Sequence, residues 1–540
     1  MKRMNRLGLL VLLLCFMIVN ACSNAGSGQG EQKKEDDVEL QVSAPGQFPI
    51  VNEKVTLKVL VPSNSLVENF ETNEFTKWME EKTNVHVEWE VMPADSAQEK
   101  LNLILSSGEL PDVIMDSPVT LAQLMVYGNQ GMFLPLNDLI DKHGYEIKKV
   151  FEKMPIVKET ITTPDGYIYA LPQVNECYHC TMSQKMWVYK PWLDKLQIDV
   201  PQTTEQFYEM LKAFKEKDPN GNGKPDEISL AGAPKTWFGA VDGFLMNPFI
   251  YSDKYVANGK IEIPYNKPAF KEGLKYMHKL YAEGLIAPES FTQNGDQLTK
   301  LGENPDTPIL GAVPGGCMIC SFTTRGKDYV TIPALQGPEG KRTSLYMPSP
   351  VTRPTEFIIT NQAKHPEVAL KWADAMFSEE VTFRSTNGIP DKDWRWAKDG
   401  EIGINGKPAR WTILYKYGNI QNDDWKGTGP SFQDNDFRLS MSVEPGDIEQ
   451  VLFAETNKNY EPYIPKISEV VPTLFFSEAQ SAELAELEKT ITNYVDEMKA
   501  KFITGKADLE KEWDSYVQTL DKLNVKRYLE IYQEAFDAKK

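Results

Sequence analysis

From Asp218 the chain reads DPNGNGKPDE, with Asn220, Asn222 and Asp226 at alternating positions and Gly223 between them. Calcium takes about six to eight hard oxygens, which a loop supplies at alternating positions around a glycine at the sixth. Asp218, Asn220 and Asn222 fall at positions one, three and five. Lys224 offers its backbone carbonyl at seven, and Asp226 falls at nine. Position twelve, where an EF-hand has a bidentate glutamate, is Ser229, and Glu227 is the nearest replacement. The pattern predicts a structural calcium site held by Asp218, Asn220, Asn222, Lys224, Asp226 and Glu227. A second pattern is the matched pairs Cys177-Tyr178-His179-Cys180 and Cys317-Met318-Ile319-Cys320. Four thiolates at this spacing make a zinc site, whereas an oxidising exterior favours two disulfides. Disulfides are preferred and zinc stays open.

Recognition of a sugar needs flat aromatic faces and planar polar groups. Tryptophans in segments without helical periodicity are Trp237 beside Phe238, Trp394, Trp396, Trp411 and Trp425. Of these, Trp237, Trp394, Trp396 and Trp425 are taken as sugar-binding candidates, with Trp237 and Trp425 foremost because both lie in polar, glycine-containing loops. Asp116, Gln173 and Asn175 are the polar candidates, and Arg384, Arg395 and Arg410 are available for a carboxylate. A secreted polysaccharide hydrolase or lyase is the rival reading, and it would need two carboxylates about 5–10 Å apart. With 77 acidic residues such pairs carry no information. There is no G-x-S-x-G, no H-E-x-x-H and no Walker or Rossmann glycine pattern, and five histidines leave little room for imidazole chemistry. Binding without catalysis is expected; a peptide receptor is a further alternative.

The elements that must position these residues follow from periodicity. Lys2, Arg3 and Arg6 precede an apolar run to Val19 and then Cys22, which describes a signal peptide over 1–21 and resembles a lipoprotein cleavage site with Cys22 lipidated. Residues 22–49, polar and charged, read as a flexible tether. The net charge of −19 disfavours nucleic acid and anionic lipid as partners. Strand patterns at 55–62, 85–93 and 110–116 alternate with helical patterns, which argues for a parallel α/β sheet with ligands beyond its carboxyl ends, near Asp116. A capping box at Thr203–Gln206 opens a helix that runs into the calcium loop. Phe270, Leu274, Met277 and Tyr281 mark another helix, and the tail from Ser477 is almost wholly helical.

SSGELPDVI, DGYIYALPQVN, MWVYKPWLDKL, DPNGNGKPDEI, LYAEGLIAPESF, IPALQGPEGKR, FIITNQAKHPEVALKW and AKFITGKADLEKEWDSYVQTL, in that order, carry a resemblance to the extracellular solute-binding lipoproteins of ABC carbohydrate importers. The chain resembles the long-chain Gram-positive subgroup related to alginate-binding proteins, which carry the same calcium loop with its carboxylate moved forward. The resemblance implies a periplasmic-binding-protein-like α/β fold of two lobes joined by hinge crossovers, with a helix-rich C-terminal part. It assigns 50–174 and 353–400 to an N-terminal lobe, and 175–352 and 401–540 to a C-terminal lobe bearing the calcium loop. Crossovers are expected at 170–175, at 350–355 and near 400. It further implies a monomer, held to the outer face of the membrane through Cys22, that binds an oligosaccharide and passes it to the permease subunits.

Overall fold

The computed structural model describes residues 40–415 and 420–539; the leader and Cys22 lie outside them. Strand β1 (Val55–Pro62) buries alternate residues at its start and turns wholly inward at Val59–Val61. The helix Glu74–Thr83 follows, capped by Asn73, whose side chain accepts from Phe75 N, and it buries Phe75 and Met79. Strand β2 (Val85–Met92) leads to the helix Ala97–Ser107, which ends at Gly108 with φ 73°. There a left-handed cap costs glycine nothing. Leu101 and Leu105 of this helix are fully buried, each contributing about 1.5–3 kcal/mol of apolar burial. Strand β3 (Val113–Met115) and strand β4 (Leu171–Asn175) complete the first pass.

The chain then builds a second sheet from β5 (Met186–Tyr189) and β6 (Ile228–Leu230), a hairpin of β7 (Tyr255–Ala257) and β8 (Lys260–Glu262), then β9 (Leu310–Pro314) and β10 (Tyr329–Ile332). It returns as β11 (Val351–Ile359), forms β12 (Trp394–Trp396) and β13 (Trp411–Ile413), re-enters the first sheet as β14 (Ser431–Gln433), and ends its strands with β15 (Met441–Ser442). The first sheet has the order β14-β4-β11-β3-β1-β2 and the second β10-β5-β9-β6. These are the cores of two α/β lobes.

The first sheet is mixed rather than parallel. Strands β1, β2 and β3 run together, but β11 arrives from the other lobe and lies antiparallel to both β3 and β4. The third crossing, expected near residue 400, lies instead between Ser442 and Ile448. Trp394, Trp411 and Phe437 pack on Phe383, and β14 pairs with β4, whereas Leu452 and Tyr460 belong to the core of the second lobe. Residues 41–49 also depart from the tether reading. Val42 bridges to Val51, and the Lys371 ammonium donates to the carbonyls of Ser43 and Ala44.

The helical tail forms as its stripe requires. Ser477 caps a 27-residue helix, Glu478–Thr504, which buries Leu484, Ile491, Met498 and Phe502. Helices Leu509–Lys522 and Val525–Ala538 join it against the helix Pro268–Ala282, in one core with Phe270, Leu274 and Met277. Among the described residues no helix is long and apolar enough to cross a membrane.

Candidate functional site

The crossings decide which sheet edges face each other. β4 ends at Asn175 and β5 begins at Met186; β10 ends at Ile332 and β11 begins at Val351. Met186 is opposite both Ile332 and Pro314, so the carboxyl ends of β9 and β10 share the edge at which the chain enters the second sheet. In the first sheet β3 and β4 both run antiparallel to β11, so Asp116, just past β3, shares the edge of Asn175. The carboxyl ends of strands are where open α/β sheets place their ligands.

On the first edge Asp116 adopts φ 48°, a left-handed conformation set by its backbone N–H donating to Glu356 O. Its carboxylate pairs with the Arg353 guanidinium, which also lies 3.7 Å from Glu356 Oε2. Glu356 is fully buried and accepts from Gly429 N at 2.7 Å. With Ser63, Ser117 and Thr352 these groups line a pocket of ≈ 480 Å³. Burial, then the neighbouring Asp116 charge, pushes the Glu356 carboxyl well above the ordinary value of 4.5, against the pull of Arg353. Burial also raises Asp116, with Arg353 opposing. The folded protein therefore keeps the Glu356 proton at a pH where the unfolded chain has released it, so this group makes stability fall as pH rises through that window. Glu356→Gln, which cannot titrate, should gain melting temperature relative to wild type as pH is raised from below 4.5 into the neutral range. Parallel pH profiles for the two proteins would contradict the assignment.

On the second edge Trp237 is 49% exposed. It lies in the loop after β6, a strand parallel to β9. Gly316, just past β9, lets the indole sit against the backbone: a Cβ there would come within 2.3 Å of the ring. The Gly316 N–H donates to Trp237 O. The indole face is thus braced by backbone and open to solvent.

The other candidates are placed differently. Trp425 is fully buried: its Nε1 donates to Thr76 Oγ1 at 2.9 Å, and its ring meets Phe75, Trp89 and Trp372 with centroids 4.6, 5.1 and 5.9 Å away. Polar neighbours in NDDWKG led to the opposite expectation, but the indole is the one apolar group of that turn and plugs the core. Trp394 is likewise buried, stacked at 4.3 Å on Phe383 with Nε1 on Gly388 O. Trp411 donates to Phe437 O from the same cluster. Trp396 is exposed, yet with Trp78 and Arg384 it lines a ≈ 540 Å³ pocket that shares no residue with the Asp116 pocket. Gln173 spends its amide on the carbonyls of Gly427 and Gly429 and on the Thr352 hydroxyl. Asn175 accepts from Arg438 at 2.7 Å, beside the crossing. Both side chains are thus engaged within the protein. Arg384 donates to Gly388 O, Arg395 grips Glu401, and Arg410 grips Glu379, so all three arginines are already engaged. Arg353 and Glu356 were missed; the signal was two charges, in VTRPTEF, leading into the buried apolar run of Phe357, Ile358 and Ile359.

The DPNGNG loop begins one residue after the cap of the helix Thr204–Glu216. Asp218 accepts the N–H groups of Gly221, Asn222 and Gly223, drawing the turn around its carboxylate. Gly221 and Gly223 supply φ 78° and 72°. Asp226 accepts from the side-chain amides of Asn220 and Asn222, which hold its carboxyl below the ordinary range. Turning those two amides over would present their oxygens to a cation. Ser229 is buried in β6 and donates to Leu211 O, so Glu227 is the available replacement for the twelfth ligand. These side chains carry hard oxygens of the kind calcium takes. Among the described residues the four cysteines form two disulfides, Cys177–Cys180 and Cys317–Cys320.

Residues 63–383, more than half of the chain, match the model of bacterial extracellular solute-binding proteins. The chain belongs to that family. This solute-binding protein is 27% identical to the fructooligosaccharide ABC transporter substrate-binding protein FusA of Streptococcus pneumoniae, over 98% of this chain and 97% of the relative. The structure of FusA in complex with kestose superimposes with a TM-score of 0.71 at 25% identity, covering 89% of this chain and 99% of that one. Lipoprotein LipO of Bacillus subtilis is 26% identical over 86% of this chain and 89% of its own length. The alginate-binding protein AlgQ2, solved without calcium ion, matches at 25% identity with a TM-score of 0.62, covering 90% of this chain and 98% of its own.

Proposed function

We propose that this extracellular solute-binding protein closes on an oligosaccharide between its lobes and delivers it, unaltered, to an ABC importer. The observation that carries this reading is the solvent-open Trp237 face beyond one sheet edge, with the Asp116–Arg353 pocket beyond the edge joined to it by the crossings. An indole face stacks on sugar C–H groups, while a carboxylate and a guanidinium read hydroxyls. Contacts from both lobes would shift the population toward a closed form. The names of FusA and AlgQ2 support the ligand class. Incubation with plant and algal glycans tests the absence of catalysis: the glycans should be recovered intact, and new reducing ends or unsaturated products would refute it.

Calcium, held by Asp218, Asn220, Asn222, Lys224 O, Asp226 and Glu227, would fasten the end of the helix Thr204–Glu216 to β6 without touching sugar. A ligand present at a hundred times its Kd stabilises the folded state by about 2.7 kcal/mol. Chelator should therefore lower the melting temperature of wild type clearly, and that of Asp218→Ala little. An equal drop in both proteins would place the metal elsewhere. Cys22 would carry the lipid that holds this monomeric receptor at the outer face of the membrane, beside the permease subunits. Cys22→Ala should release the protein from the membrane fraction with its melting temperature unchanged; a variant that still sediments with membranes rules the anchor out.

A further inference from the structure

Just past the first crossing, the turn Cys177–Cys180 gathers donors that the sugar site does not use. His179 is 8% exposed and points Nε2 at Cys177 Sγ, 3.5 Å away. The ligand atoms of Cys177, His179 and Cys180 all lie within 4.8 Å of one another, and among the described residues no other group of cysteine, histidine and acidic side chains does so. Bond lengths to zinc of about 2.3 Å for sulfur and 2.0–2.1 Å for nitrogen, at tetrahedral angles, require donors roughly 3.5–3.8 Å apart. His179 Nε2 and Cys177 Sγ are 3.5 Å apart in the disulfide state, and the two sulfurs, bonded to each other there, must separate to complete the set. On the other side of the ring, Nδ1 lies 3.6 Å from Glu449 Oε2. A carboxylate behind a metal-bound histidine fixes its tautomer and raises its basicity. Glu449 is itself 3.5 Å from Arg438, which donates to Asn175 Oδ1 at the end of β4. The nearby Lys185 ammonium donates to the carbonyls of His179 and Met182.

We propose that Cys177, His179 and Cys180 form a thiol-dependent zinc site at the first crossing, with Glu449 positioning the histidine and a fourth coordination place open to water. In the disulfide state the two sulfurs are bonded to each other and are not thiolate ligands. A dithiol reductant opens the site: it gives two electrons and two protons to the Cys177–Cys180 bond and becomes a disulfide itself. Zinc then displaces the two thiol protons, leaving two thiolates and a neutral imidazole around the cation. The pair Cys317–Cys320 has no such histidine and belongs to a different loop. The site rests on none of the sugar contacts, so it stands or falls apart from the receptor reading.

The test uses the full chain, reduced with a dithiol and desalted without oxygen, then titrated with Co²⁺ and, in competition, with Zn²⁺. The reduced protein should take up one cobalt with thiolate-to-metal charge-transfer absorption, which zinc then removes. The oxidised chain, identical in sequence, should show no such absorption, and neither should Cys177→Ser/Cys180→Ser. Cys317→Ser/Cys320→Ser should keep it. Glu449→Gln should weaken zinc binding about ten- to a hundred-fold. Three results would each overturn the site: no thiolate absorption in the reduced wild type, absorption that survives loss of Cys177 and Cys180, or absorption that disappears with Cys317 and Cys320. Unchanged affinity in Glu449→Gln would overturn the role given to that carboxylate.

Discussion

Trp425→Ala should cost about 3–5 kcal/mol of stability, the usual range for emptying a fully buried tryptophan site. Its indole fills the space between the helix Glu74–Thr83, β2 and the helix Pro366–Ala375, and donates to Thr76. The folded fraction of the variant should bind sugar as wild type does, because no part of that ring reaches solvent. Denaturant titration paired with calorimetric binding separates the two effects. A stable Trp425→Ala protein that had lost affinity would put this indole in the ligand site after all.

Trp237→Ala should do the reverse. Half of its surface is already open to solvent and its support is the backbone at Gly316, so little packing is lost. Removing the stacking face should weaken sugar binding about ten- to a hundred-fold, or ~1.4 to ~2.7 kcal/mol, with a melting temperature close to wild type. Loss of stability without loss of affinity would assign Trp237 to the fold instead. Asp116→Ala complements it from the other lobe.

What could be read in the sequence divides along physical lines. Alternating burial and caps are local, so β1, β2, the helices between the first strands and the long helix after Ser477 lie where periodicity places them. The Thr203 cap also forms, although Gln206 reaches back to Gln202 N rather than closing the reciprocal box. The DPNGNG turn is legible because the groups that close it, Asp218 and the N–H groups of Gly221, Asn222 and Gly223, are near neighbours in sequence. Long-range pairing is not local. Nothing in VTRPTEFII announces that β11 enters antiparallel, and nothing in SFQ announces a strand beside β4. Tryptophan exposure fails for the same reason. Trp425 and Trp237 have similar polar neighbours, and only the tertiary partners, Phe75 and Trp372 for one and Gly316 for the other, separate core from surface. Arg353 and Glu356 sit on one strand, but the partner that gives them meaning, Asp116, is far away in sequence.

The most direct test of the receptor reading is a thermal-shift screen of wild type and Trp237→Ala against mono- and oligosaccharides, kestose among them. A ligand that binds only the folded state raises its melting temperature in proportion to ln(1 + [L]/Kd). At least one oligosaccharide should raise the melting temperature of wild type, and the same sugar at the same concentration should shift Trp237→Ala much less. A panel in which no sugar shifts wild type, or in which the active sugar shifts both proteins equally, would contradict an oligosaccharide held against Trp237.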